Sequence, residues 1–207
     1  MKRLIIAIDC DDVLTPSSHA IVAHYNREYG TDVNVDKFYD RNPTQWGVKT
    51  LDEVYERIRL YFRSDRFQEE VHPFEEAIRA VHELAERHEL HLVTGRSQTV
   101  DMVTNAMVNT YFKDVFLSIE HTGSVKLDDG TIIRRTKGEV CQAIAADILI
   151  DDNLDHARSV LDAGIKHVLL YGDYGWNKHE ELTGAIRCRE WGAVMKQIVV
   201  LEREAGR

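Results

Sequence analysis

Three carboxylates within four positions, Asp9, Asp11 and Asp12, follow directly on the apolar run Leu4-Ile5-Ile6-Ala7-Ile8. The run is short, continuous and rich in β-branched residues, the pattern of a strand buried on both faces. Strand side chains alternate, so Asp9 and Asp11 face the same way if the extended geometry persists, and two such anions repel unless a cation lies between them. At the carboxyl end of a parallel strand, where α/β sheets bind their ligands, a divalent metal meets that need. An acidic, solvated turn is the plainer explanation of the same residues. A second occurrence weighs against it: Ile148-Leu149-Ile150 ends in Asp151-Asp152-Asn153. Two such strand ends in one sheet supply most of an oxygen-ligand cage.

Two further stations carry polar groups to strand or helix ends. Thr94 and Gly95 follow the apolar run Leu90 to Val93 and bring a hydroxyl and an unhindered backbone amide, groups suited to phosphate oxygens, although taken alone a plain Thr-Gly turn is the better account. Arg96 either reaches an anion or pairs with an acidic neighbour. Lys137 falls in the first turn of a predicted helix, where the macrodipole disfavours a cation. Either it is solvated, or a carboxylate or a phosphate resting on free amides compensates it.

These residues need elements to hold them. Ser17 and Ser18 offer N-caps for a helix through Tyr29 that stops at Gly30. Thr31 to Gly47 has no period, and Thr50 to Glu53 reads as a capping box for a helix ending near Ser64. No strand is predicted from Ser17 to His72, whereas from Pro73 onward helices alternate with apolar strands. The expectation is a Rossmann-like α/β core, residues 1–16 and 73–207, with a parallel sheet flanked by helices and a small helical cap, 17–72, inserted after the first strand. Pro73 opens a helix leading to the strand Leu90 to Val93; a helix from Ser97 and a strand Val115 to Ile119 follow. Asp128-Asp129-Gly130 reads as a hairpin tip. Thr136 to Glu139 is a second capping box. The remaining predicted elements are the strand ending at Asp151, a helix to Ala163, the strand His167 to Tyr171 and a final helix from about Glu190.

A chain of 207 residues accommodates one such domain with an insertion, and its net charge of −9 argues against a nucleic-acid polymer as partner. No apolar run approaches the ~18 residues of a membrane span. The chain enters a strand at once with no signal-peptide pattern, and Cys10, Cys141 and Cys188 are few and scattered, so a reduced, cytoplasmic protein is expected.

Taken in order, the four stations resemble the motifs of the haloacid dehalogenase-like phosphohydrolases: Asp9-Cys10-Asp11-Asp12-Val13 the first, Thr94 the second, Lys137 the third, Asp151-Asp152 the fourth. The resemblance implies a nucleophilic Asp9 that forms an aspartyl-phosphate and an acid/base Asp11. It also implies Mg²⁺ held by Asp9, the main-chain carbonyl of Asp11 and the Asp151-Asp152 pair, with Thr94, Gly95 and Lys137 on the transferring phosphoryl group. The stretch Ala146 to Asn153, with Ala163-Gly164-Ile165, Tyr174 and Trp176, is most similar to the 5'(3')-deoxyribonucleotidase branch. The chain departs from that branch at Asp12, where Gly is usual, and at Gly95-Arg96.

Substrate choice is expected from the cap. Phe38, Tyr39, Trp46, Tyr61 and Phe62 are candidates to stack on a leaving group. Tyr61 and Phe62 fit the cap's own core better, and Trp46 is the favoured substrate contact. His88 and His91 straddle a helix end and a strand start and read as structural or exposed. The expected activity is Mg²⁺-dependent hydrolysis of a small phosphorylated metabolite, first a (deoxy)nucleoside 5'-monophosphate. The alternatives are another metabolite phosphate, phosphotransfer, or an idle relative that binds a partner. A homo-oligomer stays open.

Overall fold

In the computed structural model, which describes residues 3–126 and 129–205, the central sheet is built from β1 (Ile5–Ile8), β2 (Glu89–Thr94), β3 (Phe116–His121), β6 (Ile148–Asp151), β7 (His167–Tyr171) and β8 (Ala185–Cys188). Its order is β3-β2-β1-β6-β7-β8, and every pairing is parallel. The chain leaves β1 toward β2 and β3 on one side and returns to β6 on the other. The switch of direction therefore lies between β1 and β6, where a crevice opens at the carboxyl ends.

Strand alternation decides what each face buries. Ile6, Ile8, Leu90, Leu92, Ile148 and Ile150 pack with α4 (Glu75–Ala85), α5 (Asp101–Tyr111) and α8 (Trp191–Ala205). Ala7, Val93, Leu149, Val168 and Leu170 pack with α6 (Lys137–Ala143) and α7 (Leu154–Asp162). Both faces are covered, which is why these strands read as continuous apolar runs.

Between β1 and α4 lie α1 (Ser17–Tyr29), two short 3₁₀ turns (Val35–Lys37 and Pro43–Trp46), α2 (Leu51–Phe62) and α3 (Asp65–Glu70), with no strand among the described residues. Val22, Tyr25, Val33, Trp46 and Val54 form one apolar cluster there. Ile21, Tyr61, Phe62 and Phe67 form another that reaches Val100, just before α5, and Val103 within it. The short antiparallel pair β4 (Val125–Lys126) and β5 (Ile132–Ile133) matches the expected hairpin, although Leu127 and Asp128, the first residue of its predicted tip, lie outside the described residues.

Three expectations are corrected. Ser17 and Ser18 do not cap α1; Pro16 holds the cap position without a side-chain bond, and both serines lie inside the helix. The extended geometry stops at Ile8: Leu14 and Thr15 N–H return to Cys10 O, and Asp12 adopts φ 60°. Sequence periodicity missed α3 and β8, which hold six and four residues, too few to show a period.

Candidate active site

Asp9 stands one residue past β1, its N–H bonded to Ile150 O of β6 at 2.9 Å, so the two acidic strand ends lie side by side. Lys137 enters between them from the start of α6. Its Nζ is 2.6 Å from Asp9 Oδ1 and 2.6 Å from Asp151 Oδ2, and the side chain is only 1 % exposed. The compensation that a cation in a first helical turn requires is thus two buried carboxylates. Local chemistry fixes the approach. Thr136 and Glu139 complete the capping box, with Thr136 Oγ1 accepting Glu139 N–H at 3.1 Å and Glu139 Oε2 accepting Thr136 N–H at 2.7 Å. Gly138 then lets α6 press on α7, since a Cβ there would lie 2.1 Å from Ser159 O.

Burial and charge oppose each other at this centre. Burial raises the Asp9 carboxyl, and Lys137 offsets only part of this, leaving it at about 6. Burial also disfavours ionised Asp151, but Lys137 and His156 outweigh it and bring that group to about 2. Lys137 is held above its ordinary value, because the Asp151 and Asp9 charges exceed the cost of its burial.

Asp11 is the main revision of the sequence reading. The acid/base role that the resemblance gives it asks for a carboxyl able to hold a proton. Instead Arg96, 5 % exposed, clamps it with Nη2 to Oδ1 at 2.6 Å and Nε to Oδ2 at 3.0 Å. Burial pushes the Asp11 carboxyl up, yet Arg96 more than compensates and holds it below the usual range. The guanidinium also donates to Thr104 Oγ1 at 3.2 Å and lies 4.9 Å from the Phe62 ring centre. Arg96 therefore joins the helical insertion to the acid/base candidate.

Asp12 is buried and does the capping assigned to the serines: its Oδ1 accepts Ser18 N–H at 3.1 Å and its Oδ2 accepts Ser18 Oγ–H. Burial raises it to about 7. Asp152 Oδ2 accepts Trp176 Nε1–H at 2.7 Å, and its Oδ1 is buried without a hydrogen bond among the described residues. Burial, with Asp12 and Asp151 adding, raises it well above the carboxylate range. Thr94 ends β2 fully buried, its hydroxyl oxygen accepting Arg96 N–H at 3.2 Å. Gly95 follows, on the wall of the crevice.

A cavity of about 720 Å³ opens between this edge and the helical insertion, lined by Gly95, Lys137 and His156 below and by Phe38, Tyr39 and Phe62 above. Trp46, the favoured substrate contact, belongs to its wall but is only 2 % exposed, seated edge-on to Tyr25 and Phe38. Its ring mainly packs the insertion. Tyr61 likewise is buried and donates to Glu70 at 2.8 Å. Tyr39, 39 % exposed and 5.3 Å from Trp176, offers more ring to a ligand.

Sequence reasoning missed His156, whose Nδ1 lies 3.3 Å from Asp151 Oδ1. Its only sequence signal was its place in the first turn after a strand-end acid. Asp9, Asp151 and His156 each offer one atom within 4.8 Å of the others. Asp9 Oδ1 is buried, and its partner is the Lys137 ammonium that also serves Asp151. Two buried carboxylates that share one lysine carry more negative charge than it offsets, which fits a hard divalent cation.

The family model described as 5' nucleotidase, deoxy (pyrimidine), cytosolic type C protein matches residues 3–204. No curated protein matches the chain significantly. Among solved structures, the chain is similar to a haloacid dehalogenase-like family hydrolase from Streptococcus pneumoniae (TM-score 0.69, 16 % identity, 95 % of this chain and 98 % of that one). It is also similar to a predicted phosphatase from Clostridium acetobutylicum (0.70, 15 %, 96 % and 99 %) and a predicted phosphoglycolate phosphatase from Haemophilus somnus (0.64, 12 %, 96 % and 99 %). At such identities the likeness speaks for the fold alone.

Proposed function

The chain belongs to the cytosolic type C 5'-nucleotidase family of haloacid dehalogenase-like phosphohydrolases, and from that premise we propose that this phosphomonoester hydrolase is a Mg²⁺-dependent 5'-nucleotidase acting on (deoxy)nucleoside monophosphates. The observation that carries the reading is Lys137 Nζ at 2.6 Å from both Asp9 and Asp151, on the floor of a cavity walled by aromatic rings. Residues 17–72 act as the cap that selects the leaving group.

Asp9 attacks phosphorus, and the bond to the ester oxygen breaks as the aspartyl-phosphate forms. Lys137, already between Asp9 and Asp151, offsets negative charge on the transferring group, and Thr94 and Gly95 supply a hydroxyl and an amide to its oxygens. Asp11 hands a proton to the leaving alkoxide and later takes one from the water that opens the intermediate. In the first of these steps it must carry that proton, so an incoming phosphate has to draw Arg96 off the carboxylate; in the second, ionised Asp11 is already a base. Asp9, the Asp151-Asp152 pair and the Asp11 carbonyl would hold Mg²⁺, which when bound neutralises charge between nucleophile and phosphate. Asp152 also anchors Trp176 through Oδ2. The expected partners are small phosphorylated metabolites, with no nucleic-acid polymer and no membrane, in the cytoplasm; no helix among the described residues is long and apolar enough to cross a membrane.

Arg134 and Arg135 also line the cavity and favour a second reading, in which the leaving group carries an anion of its own, as in a sugar-acid phosphate. Phosphate release from deoxy- and ribonucleoside monophosphates and from sugar and sugar-acid phosphates, with Mg²⁺, separates the two. The nucleotides are expected to show kcat/KM at least about tenfold higher, the worth of roughly 1.4 kcal/mol in the transition state. Equal or better turnover of sugar-acid phosphates sinks the nucleotidase reading.

A further inference from the structure

The phosphoryl chemistry above gives His156 no task, yet its backbone is tied into the site and its ring meets Asp151. Its backbone N–H donates to Asn153 Oδ1 at 3.2 Å, and Asn153 N–H donates to Asp151 Oδ1 at 2.9 Å, tying the turn to the carboxylate. Its ring backs onto Gly95, where a Cβ would make ordinary contact with Cε1 at 3.6 Å. Its Nδ1 faces Asp151 Oδ1 at 3.3 Å.

Around an octahedral ion with bonds of about 2.1 Å, adjacent donors lie about 3 Å apart and opposite ones about 4.2 Å. Atoms of Asp9, Asp151 and His156 within 4.8 Å of one another come close to that spacing before any ion draws them in. Asp9, 4 % exposed, shares the single Lys137 ammonium, at 2.6 Å from each, with Asp151, so two buried carboxylates beside His156 are matched by one cation. We infer that His156 is a nitrogen ligand of the metal centre and biases it toward an ion that accepts imidazole, such as Mn²⁺ or Co²⁺, over Mg²⁺. The inference rests on the metal centre proposed above. Mg²⁺ prefers oxygen and keeps its waters, whereas affinity for imidazole-containing sites rises from Mn²⁺ to Co²⁺.

Calorimetric titration of the intact protein with Mn²⁺ alone and with Mg²⁺ alone tests this, on the wild type, His156→Ala and His156→Asn. Both variants are expected to lose about tenfold or more in Mn²⁺ affinity while Mg²⁺ affinity changes less than about threefold. Asn retains an N–H for Asp151, so Mn²⁺ affinity preserved in His156→Asn would reduce His156 to a hydrogen-bond donor and overturn the inference. An unchanged Mn²⁺/Mg²⁺ ratio in both variants would overturn it as well. The wild type supplies a readout independent of variant folding: pulsed EPR of the Mn²⁺-loaded protein should show a ¹⁴N coupling from bound imidazole, and its absence refutes the assignment. Should the wild type bind neither ion, the metal centre itself falls, a different failure from metal binding that ignores His156.

Discussion

At the amino-terminal edge of the sheet, Glu202 of α8 meets Arg87 at 2.7 Å and His88 Nε2 at 2.8 Å, while His88 Nδ1 accepts Leu4 N–H at 3.3 Å. With Nδ1 an acceptor, a neutral ring carries its proton on Nε2, toward the carboxylate. One anion is thus matched by one cation and one neutral donor. At the carboxyl edge, Asp9, Asp11, Asp12, Asp151 and Asp152 face, among the described residues, only Lys137 and Arg96 as closely placed cations, and Asp152 Oδ1 is buried without a hydrogen bond. The same sheet holds buried charge in two ways. Where the charge is structural, it is closed; where a ligand is due, the anions outnumber their partners.

The sharpest way to break this contrast is Asp9→Asn, which should lower Mg²⁺-dependent hydrolysis of an aryl phosphate by at least about 10³-fold with the melting temperature kept. Activity left unchanged would remove Asp9 as nucleophile. Lys137→Met should cost about 10²- to 10³-fold in kcat, and about 3–5 kcal/mol of stability because two buried carboxylates lose their cation. Millimolar Mg²⁺ should restore part of that stability by binding the folded state only. Calorimetric unfolding with and without the ion checks this. At the closed edge, Glu202→Gln should cost about 1–3 kcal/mol in denaturant titrations, leave kcat within about twofold, and respond to Mg²⁺ as the wild type does.

The smallest effect is a pair of pH slopes of opposite sign. Burial lowers His88 below its ordinary 6.5, so under mildly acid conditions the unfolded chain binds the extra proton and stability drains as pH falls through 6.5. Asp9, at about 6, and Asp12, at about 7, are raised from 3.8, so there the folded chain holds the extra protons. Their contribution falls as pH rises from about 4 toward 7. His88→Asn should therefore tilt the stability profile one way and Asp12→Asn the other, read from denaturant midpoints at pH 5, 6 and 7.

Much of the scaffold was legible because it rests on short-range rules. The apolar runs of β1, β6 and β7, the Thr136 capping box and Gly30 as the stop of α1 follow from periodicity and backbone chemistry. The position of Lys137 was informative for the same reason: a cation in a first turn demands an anion, and the order of the elements put two within reach. Arg96 was not legible, since its choice of Asp11 depends on Asp11 lying across the crevice from β2, 85 positions away in the chain. Nor was Trp46. Its irregular surroundings suggested exposure, but the rings of Tyr25 and Phe38 that bury it come from neighbouring turns whose packing no period encodes.

By itself, the sequence determined which side chains arrive at strand ends: hydrophobic alternation and burial dictate the strands, and the first polar residue after each must emerge at the edge. Tertiary structure alone decided the state of those groups. Whether a carboxylate there is charged, neutral or left short of a partner depends on the balance between desolvation and cations brought from distant segments, so Asp11 is held low by Arg96, Asp12 is spent on a helix start, and His156 stands beside Asp151.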